Sequence, residues 1–108
     1  MSYAPIHTEV RDGFDIAFYA LPENTNPADW FDMESGDRTV ELIKNGTYDW
    51  FIAKVTASKD GVELGDDYIG ACCYNSASDF PKEEPVYYED MVAEAIRAAR
   101  ARINAINA

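Results

Sequence analysis

Eight carboxylates stand at spacings that could do chemistry. Asp29, Asp32, Glu34 and Asp37 fall within nine residues, with Trp30 among them, and Asp60, Glu63, Asp66 and Asp67 surround a second short stretch. Carboxylates spread over a rigid surface can imitate a phosphate backbone and occupy the arginine and lysine surface of a nucleic-acid-binding protein. The plainer reading is that they keep an acidic chain soluble. Asp60, Asp66 and Asp67 beside Gly61 and Gly65 also suggest calcium, but their spacing fails the EF-hand loop pattern and reads as a solvated hairpin tip.

Other chemistry finds little support. His7, the one histidine, falls in a stretch read as a tail. No Ser-His-Asp or Cys-His pairing can be assembled, and no Gly-rich phosphate loop is present. Cys72 and Cys73 are adjacent, and neighbours on a strand point to opposite faces, so they suit neither one metal nor one disulfide and read as free thiols. No catalytic residue, metal site or cofactor is expected. The aromatic residues Tyr74, Tyr87 and Tyr88 sit where a sheet would meet a helix and could serve as interface anchors or as core.

The formal charge of −11 comes from 20 acids against 9 bases. All of the acids lie in residues 1–94, whereas the last 14 residues hold Arg97, Arg100 and Arg102 and no acid. A negative field repels nucleic acid and favours basic partners, so the acidic body is not expected to bind DNA or RNA directly. With 108 residues, 47% apolar and 13% aromatic, the chain fits one folded domain and excludes disorder. No apolar run approaches the roughly 20 residues needed to span a bilayer, and MSYAPIHTEVRDG lacks a signal-peptide pattern. The expected setting is therefore the cytoplasm, where the Asn45-Gly46-Thr47 sequon reads as a helix stop.

The elements that must position these groups are organised on one hairpin, Tyr48 to Tyr74. Asp60-Gly61 is a two-residue turn of the type I′ class, because Gly takes positive φ without strain. Pairing Lys59 with Val62 continues to Ala57 with Leu64, Lys54 with Asp67, Ile52 with Ile69 and Trp50 with Ala71. This register puts Phe51, Ala53, Val55, Ala57, Leu64, Tyr68, Gly70 and Cys72 on a core face. Trp50, Ile52 and Ile69 then form an apolar patch on the other face, to be covered by the chain itself or by a partner. A bulge at Gly65 would shift these faces.

Residues 1–7 read as a flexible tail, and Glu9 to Leu21 as one strand with Phe14, Ile16, Phe18 and Ala20 on one side, stopped by Pro22. Asn26-Pro27 begins a capped helical turn that Trp30, Phe31 and Met33 would anchor to the sheet. Residues 38–45 suit a helix ended by Asn45-Gly46 slightly better than a strand. After a connector in which Ser76 or Ser78 caps a turn, Pro85 opens a long helix to Ile106. Its stripe is Tyr88, Met91, Val92, Ala95, Ile96, Ala99, Ile103 and Ile106. The expected fold is α+β: an antiparallel sheet of three to four strands around the hairpin, the carboxyl-terminal helix on one face, and one or two short helices.

In its small size, strong negative charge, single sheet with a helix and lack of a catalytic constellation, the chain resembles the anti-CRISPR and anti-restriction inhibitors carried by phages and plasmids. The resemblance covers the general character of the chain and rests on no motif. It implies a stoichiometric, non-enzymatic binder that blocks DNA recognition by a CRISPR effector or restriction enzyme, although Arg97, Arg100 and Arg102 depart from an all-acidic mimic. Two rivals remain: a homodimeric accessory protein that buries Trp50, Ile52 and Ile69, and a small enzyme of unfamiliar type.

Overall fold

The computed structural model describes residues 4–26 and 39–107. Four strands, β1 (His7–Arg11), β2 (Phe14–Pro22), β3 (Asp49–Lys59) and β4 (Val62–Tyr74), form an antiparallel sheet in chain order. A short helix, α1 (Thr39–Lys44), precedes β3. A 3-10 turn (Ala77–Asp79), α2 (Phe80–Glu83) and the long α3 (Pro85–Asn107) come after β4. The α+β expectation holds, with the long helix laid on one face of the sheet.

Both hairpins turn on the same dipeptide. Asp60 and Gly61 have φ of 53° and 80°, and Asp12 and Gly13 have 54° and 82°, the positive pair a type I′ turn needs. The second turn corrects the single strand expected over Glu9–Leu21. The chain reverses at Asp12-Gly13, and His7–Arg11 pairs back on β2, His7 opposite Phe18 and Glu9 opposite Ile16. The expected tail is therefore shorter at its far end: Ile6 donates its backbone N–H to Phe18 at 2.8 Å, and His7 opens β1.

The β3–β4 register starts as expected, Lys59 opposite Val62, and then slips. Ala57 faces Gly65, Lys54 faces Tyr68 and Ala53 faces Ile69, before a second irregularity brings Phe51 opposite Cys72 and Trp50 opposite Cys73. Each slip inserts one residue into β4, and each exchanges the faces of the residues beyond it. Three expectations change as a result. Tyr68 is 49% exposed on the outer face, not core, and Gly70 is exposed as well. Lys54 does not oppose Asp67; it reaches Glu63 at 3.6 Å and lies between the rings of Tyr19 and Tyr68. Ile69 leaves the patch with Trp50 and Ile52 and packs against the core. Leu64, the inserted residue of the first slip, still packs partly on the core.

The core joins Phe14, Ile16 and Phe18 of β2, Phe51, Ala53, Val55 and Ala57 of β3, and Cys72 of β4 to Phe80 and the α3 stripe Tyr88, Met91, Val92, Ala95, Ile96 and Ala99. Phe80 stacks on Phe18 at 5.5 Å and meets Tyr74 edge to face at 5.6 Å. The closest approach is at Gly65. A Cβ there would overlap the Ala95 carbonyl oxygen and lie 2.6 Å from the Ala99 nitrogen. Gly65 thus lets the small-residue face of α3 touch β4 backbone to backbone.

Residues 39–44 are helical, and α1 ends as Asn45-Gly46 suggested. Gly46, at φ 85°, donates to Ile43 at 3.1 Å, and Thr47 donates to Leu42 at 2.9 Å, the paired bonds of a Schellman stop. Asp49 accepts from the Ala77 backbone N–H at 2.8 Å and ties the start of β3 to the connector. On the outer face the chain itself reaches Trp50, whose indole N–H donates to the Thr25 carbonyl at 3.1 Å. The helical turn expected after Pro27 lies outside the described residues.

Candidate functional site

Half of the acidic groups named from the sequence fall within the described residues. Asp29, Trp30, Asp32, Glu34 and Asp37 lie outside the described residues. The other four are placed by the β3–β4 hairpin. Asp60 forms the turn, Glu63 is paired with Lys54, and Asp66 and Asp67 point to opposite faces because they are neighbours on β4. Asp66 stays exposed and accepts from the Tyr68 hydroxyl at 3.3 Å.

Asp67 turns toward α3 and lies close enough to Glu94 to feel its charge. Burial, then the charges of Glu94 and Asp66, push its carboxyl above the ordinary range. Further along the same side, the Tyr74 phenol is pushed up to about 12 by burial first, then by Glu84 and other neighbours including Glu83. Asp90 is exposed on α3 between these groups, and Tyr87 is 55% exposed. The β4 side of the helix therefore brings Glu94 near Asp67, and Glu84 and Glu83 near Tyr74, with Arg97 paired to Glu94. Sequence reading found Asp66 and Asp67 but missed Glu83, Glu84 and Glu94, because only the packing after β4 brings them alongside.

The opposite side of α3 is charge-balanced. Arg11 forks between Glu9 on its own strand and Glu89 on the helix, and Arg100 lies 3.8 Å from Asp12. Glu9 is the hub. Its carboxylate accepts from the Tyr88 hydroxyl at 2.9 Å and from His7 Nε2 at 3.0 Å, besides Arg11. A carboxylate only accepts, so His7 carries its hydrogen on Nε2 in this contact. The rings of His7 and Tyr88 also meet edge to face at 5.9 Å.

Burial pushes the Glu9 carboxyl up, but the bonds from His7, Tyr88 and Arg11 outweigh it and hold the group below its ordinary 4.5. Burial first, and then the bond to Glu9, push the Tyr88 phenol far above its usual range. These residues border a cavity of about 470 Å³ that Ile6, Ser78, Pro81 and Lys82 complete. Chemically the cluster is saturated: Glu9 already takes three donors and is no free base, and Tyr88 is held as a neutral donor. Its parts are 79 positions apart in the chain, and the sequence reading that left His7 in a tail could not have assembled it.

Cys72 is buried, and its thiol is pushed up by burial. Its Sγ lies 3.4 Å from the Ile69 carbonyl, the setting of an unreactive core thiol. Among the described residues, no group of three or more His, Cys, Asp or Glu could hold a metal ion, and no helix is long and apolar enough to cross a membrane.

Among the described residues, fold and surface together define a four-stranded antiparallel sheet with a long helix across it; Asp67 and Glu94 stand near each other along one flank of that helix, where Arg97 pairs with Glu94, and Arg11 and Arg100 pair with acids along the other. Comparison of the chain with protein-family models, curated proteins and solved structures finds no match.

Proposed function

We propose that the protein is a non-enzymatic inhibitor that acts in a cytoplasm by binding a basic, nucleic-acid-handling complex through its acidic flank. An anti-CRISPR or anti-restriction protein that blocks DNA recognition is the kind meant. The observation that carries the reading is the placing of Asp67 near Glu94, where burial first, and then the like charges of Glu94 and Asp66, raise the Asp67 carboxyl. A fold gains nothing from such crowding, because like charges held together oppose it. A partner that brings arginines and lysines to the flank relieves the repulsion and gains the charge-assisted bonds.

Segregation of charge supports the same reading. Arg11 and Arg100 answer the acids on the β1 side, and Arg97 pairs with Glu94 from a fully exposed position that a partner can displace. The test is capture from a bacterial lysate with the tagged protein, with and without added duplex DNA. Capture of a DNA-binding effector complex that duplex DNA competes away is the expected result. Recovery of the protein alone as a salt-resistant dimer contradicts the reading and favours the accessory-protein alternative.

A further inference from the structure

The edge strand β1 is attached to the body in an unusual way. None of its five side chains belongs to the core. Val10 is 72% exposed, and Ile6, just before the strand, is 42% exposed. Strands held by buried apolar side chains stay paired until the domain unfolds, whereas those with few such contacts open locally at lower free energy. What holds β1, beyond its ladder with β2, is the edge-to-face contact of His7 with Tyr88 and a set of polar bonds: Tyr88 to Glu9, and Arg11 to both Glu9 and Glu89. The links to α3 end on two carboxylates: Tyr88 donates to Glu9, and Arg11, which Glu9 also binds, donates to Glu89.

We propose that β1 is a strap clasped to α3 by Glu9, which takes the Tyr88 hydroxyl and braces Arg11 against Glu89, and that protonating Glu9 loosens the strap while the β2–β3–β4 sheet and α3 stay folded. The groups facing Glu9 are His7 and Arg11 from β1 itself and Tyr88 and Glu89 from α3, with Lys82 of α2 lining the same cavity. The β2 residues on that face, Phe14, Ile16 and Phe18, carry no charge. Protonated Glu9 loses its charge-assisted bonds to Arg11 and His7, and its strength as the acceptor for Tyr88. Release would uncover the Tyr88 ring and leave the edge of β2 unpaired, a site open to strand addition.

The sign of the pH dependence is set by Glu9. Its folded carboxyl titrates below 4.5, so the clasp is fully present above that value and is lost as pH falls through the lowered one. The test is amide hydrogen exchange, resolved by residue, on the whole chain. Replacing Glu9 by glutamine at pH 7 is expected to lower protection of the Ile6 and β1–β2 amides about ten-fold, with less than about two-fold change in the β3–β4 ladder. Should Glu9→Gln not fold, Tyr88→Phe at pH 7, which deletes the bond to Glu9 and keeps the ring, gives the same comparison. Loss of protection in β1 ahead of β3 supports the strap. Unchanged β1 protection, or β1 and β3 losing it together, overturns the proposal.

Discussion

Replacing Gly65 by alanine is the most direct challenge to the packing that builds the acidic flank. Gly65 is not at positive φ, so the backbone does not require glycine; the neighbour does. The added Cβ meets two backbone atoms of α3, the Ala95 carbonyl oxygen and the Ala99 nitrogen at 2.6 Å, and neither can rotate away. Such contacts settle at about 3.5 Å, so α3 must retreat by more than about 1 Å, and a gap of about 1 Å already forfeits about half of each dispersion contact along it. Overpacking of this kind costs about 1–3 kcal/mol, and the upper end applies where backbone is struck. Alanine stiffens the unfolded chain and offsets about 0.4–1 kcal/mol of that. The net is a loss of about 2 kcal/mol, or roughly 10 °C in Tm for a domain of this size. Urea denaturation monitored by tryptophan fluorescence measures it. Gly70→Ala is the control, since its Cβ meets only the flexible Glu23 carboxylate at 3.1 Å and should be close to neutral. Gly65→Ala at or above wild-type stability would refute the close approach of α3 and β4.

Other perturbations act through single contacts. Tyr88→Phe keeps the buried ring but deletes its bond to Glu9. It should cost about 1 kcal/mol and bring the Glu9 carboxyl closer to its ordinary value, as an NMR titration of that carboxyl would show. Asp49→Ala removes the acceptor for the Ala77 N–H and should lower stability by about 1 kcal/mol, measurable as a shifted denaturation midpoint. Asp67→Asn should behave in the opposite sense. Its folded carboxyl is raised above 3.8, so its charge lowers stability as pH rises through that window. The variant should be more stable than wild type at pH 7, with the gain vanishing near pH 3 in thermal melts.

Much of the fold can be read from local chemistry, and the failures have local causes too. Asp60-Gly61 announces its hairpin because strong β-formers flank it on both sides. Asp12-Gly13 carries the same turn signal, yet one flank is His7-Thr8-Glu9-Val10-Arg11, a polar edge strand whose first residue reads as tail and whose last three read as the start of one unbroken strand. The apolar faces of β2 and α3 are legible because burial imposes their periods. The register of β4 is not, because inserted residues at Leu64 and beside Gly70 depend on how the helix sits over Gly65. The same contact decides which acids stand together: Asp67 and Glu94 are 27 positions apart, and nothing local links them. Glu9 and Tyr88 are farther apart still and meet only because β1 folds back.

The proposed function has the flank that holds Asp67 and Glu94 bind a basic partner at a cost to the fold. The measurement that tests it most directly is the affinity of the captured effector complex for the wild-type chain and for Asp67→Asn/Glu94→Gln, at low and high salt, beside a thermal melt of each. Weaker binding by the variant, a smaller salt dependence and an unchanged or higher Tm are expected. Equal affinity and equal salt dependence in a variant that melts no lower would contradict the account.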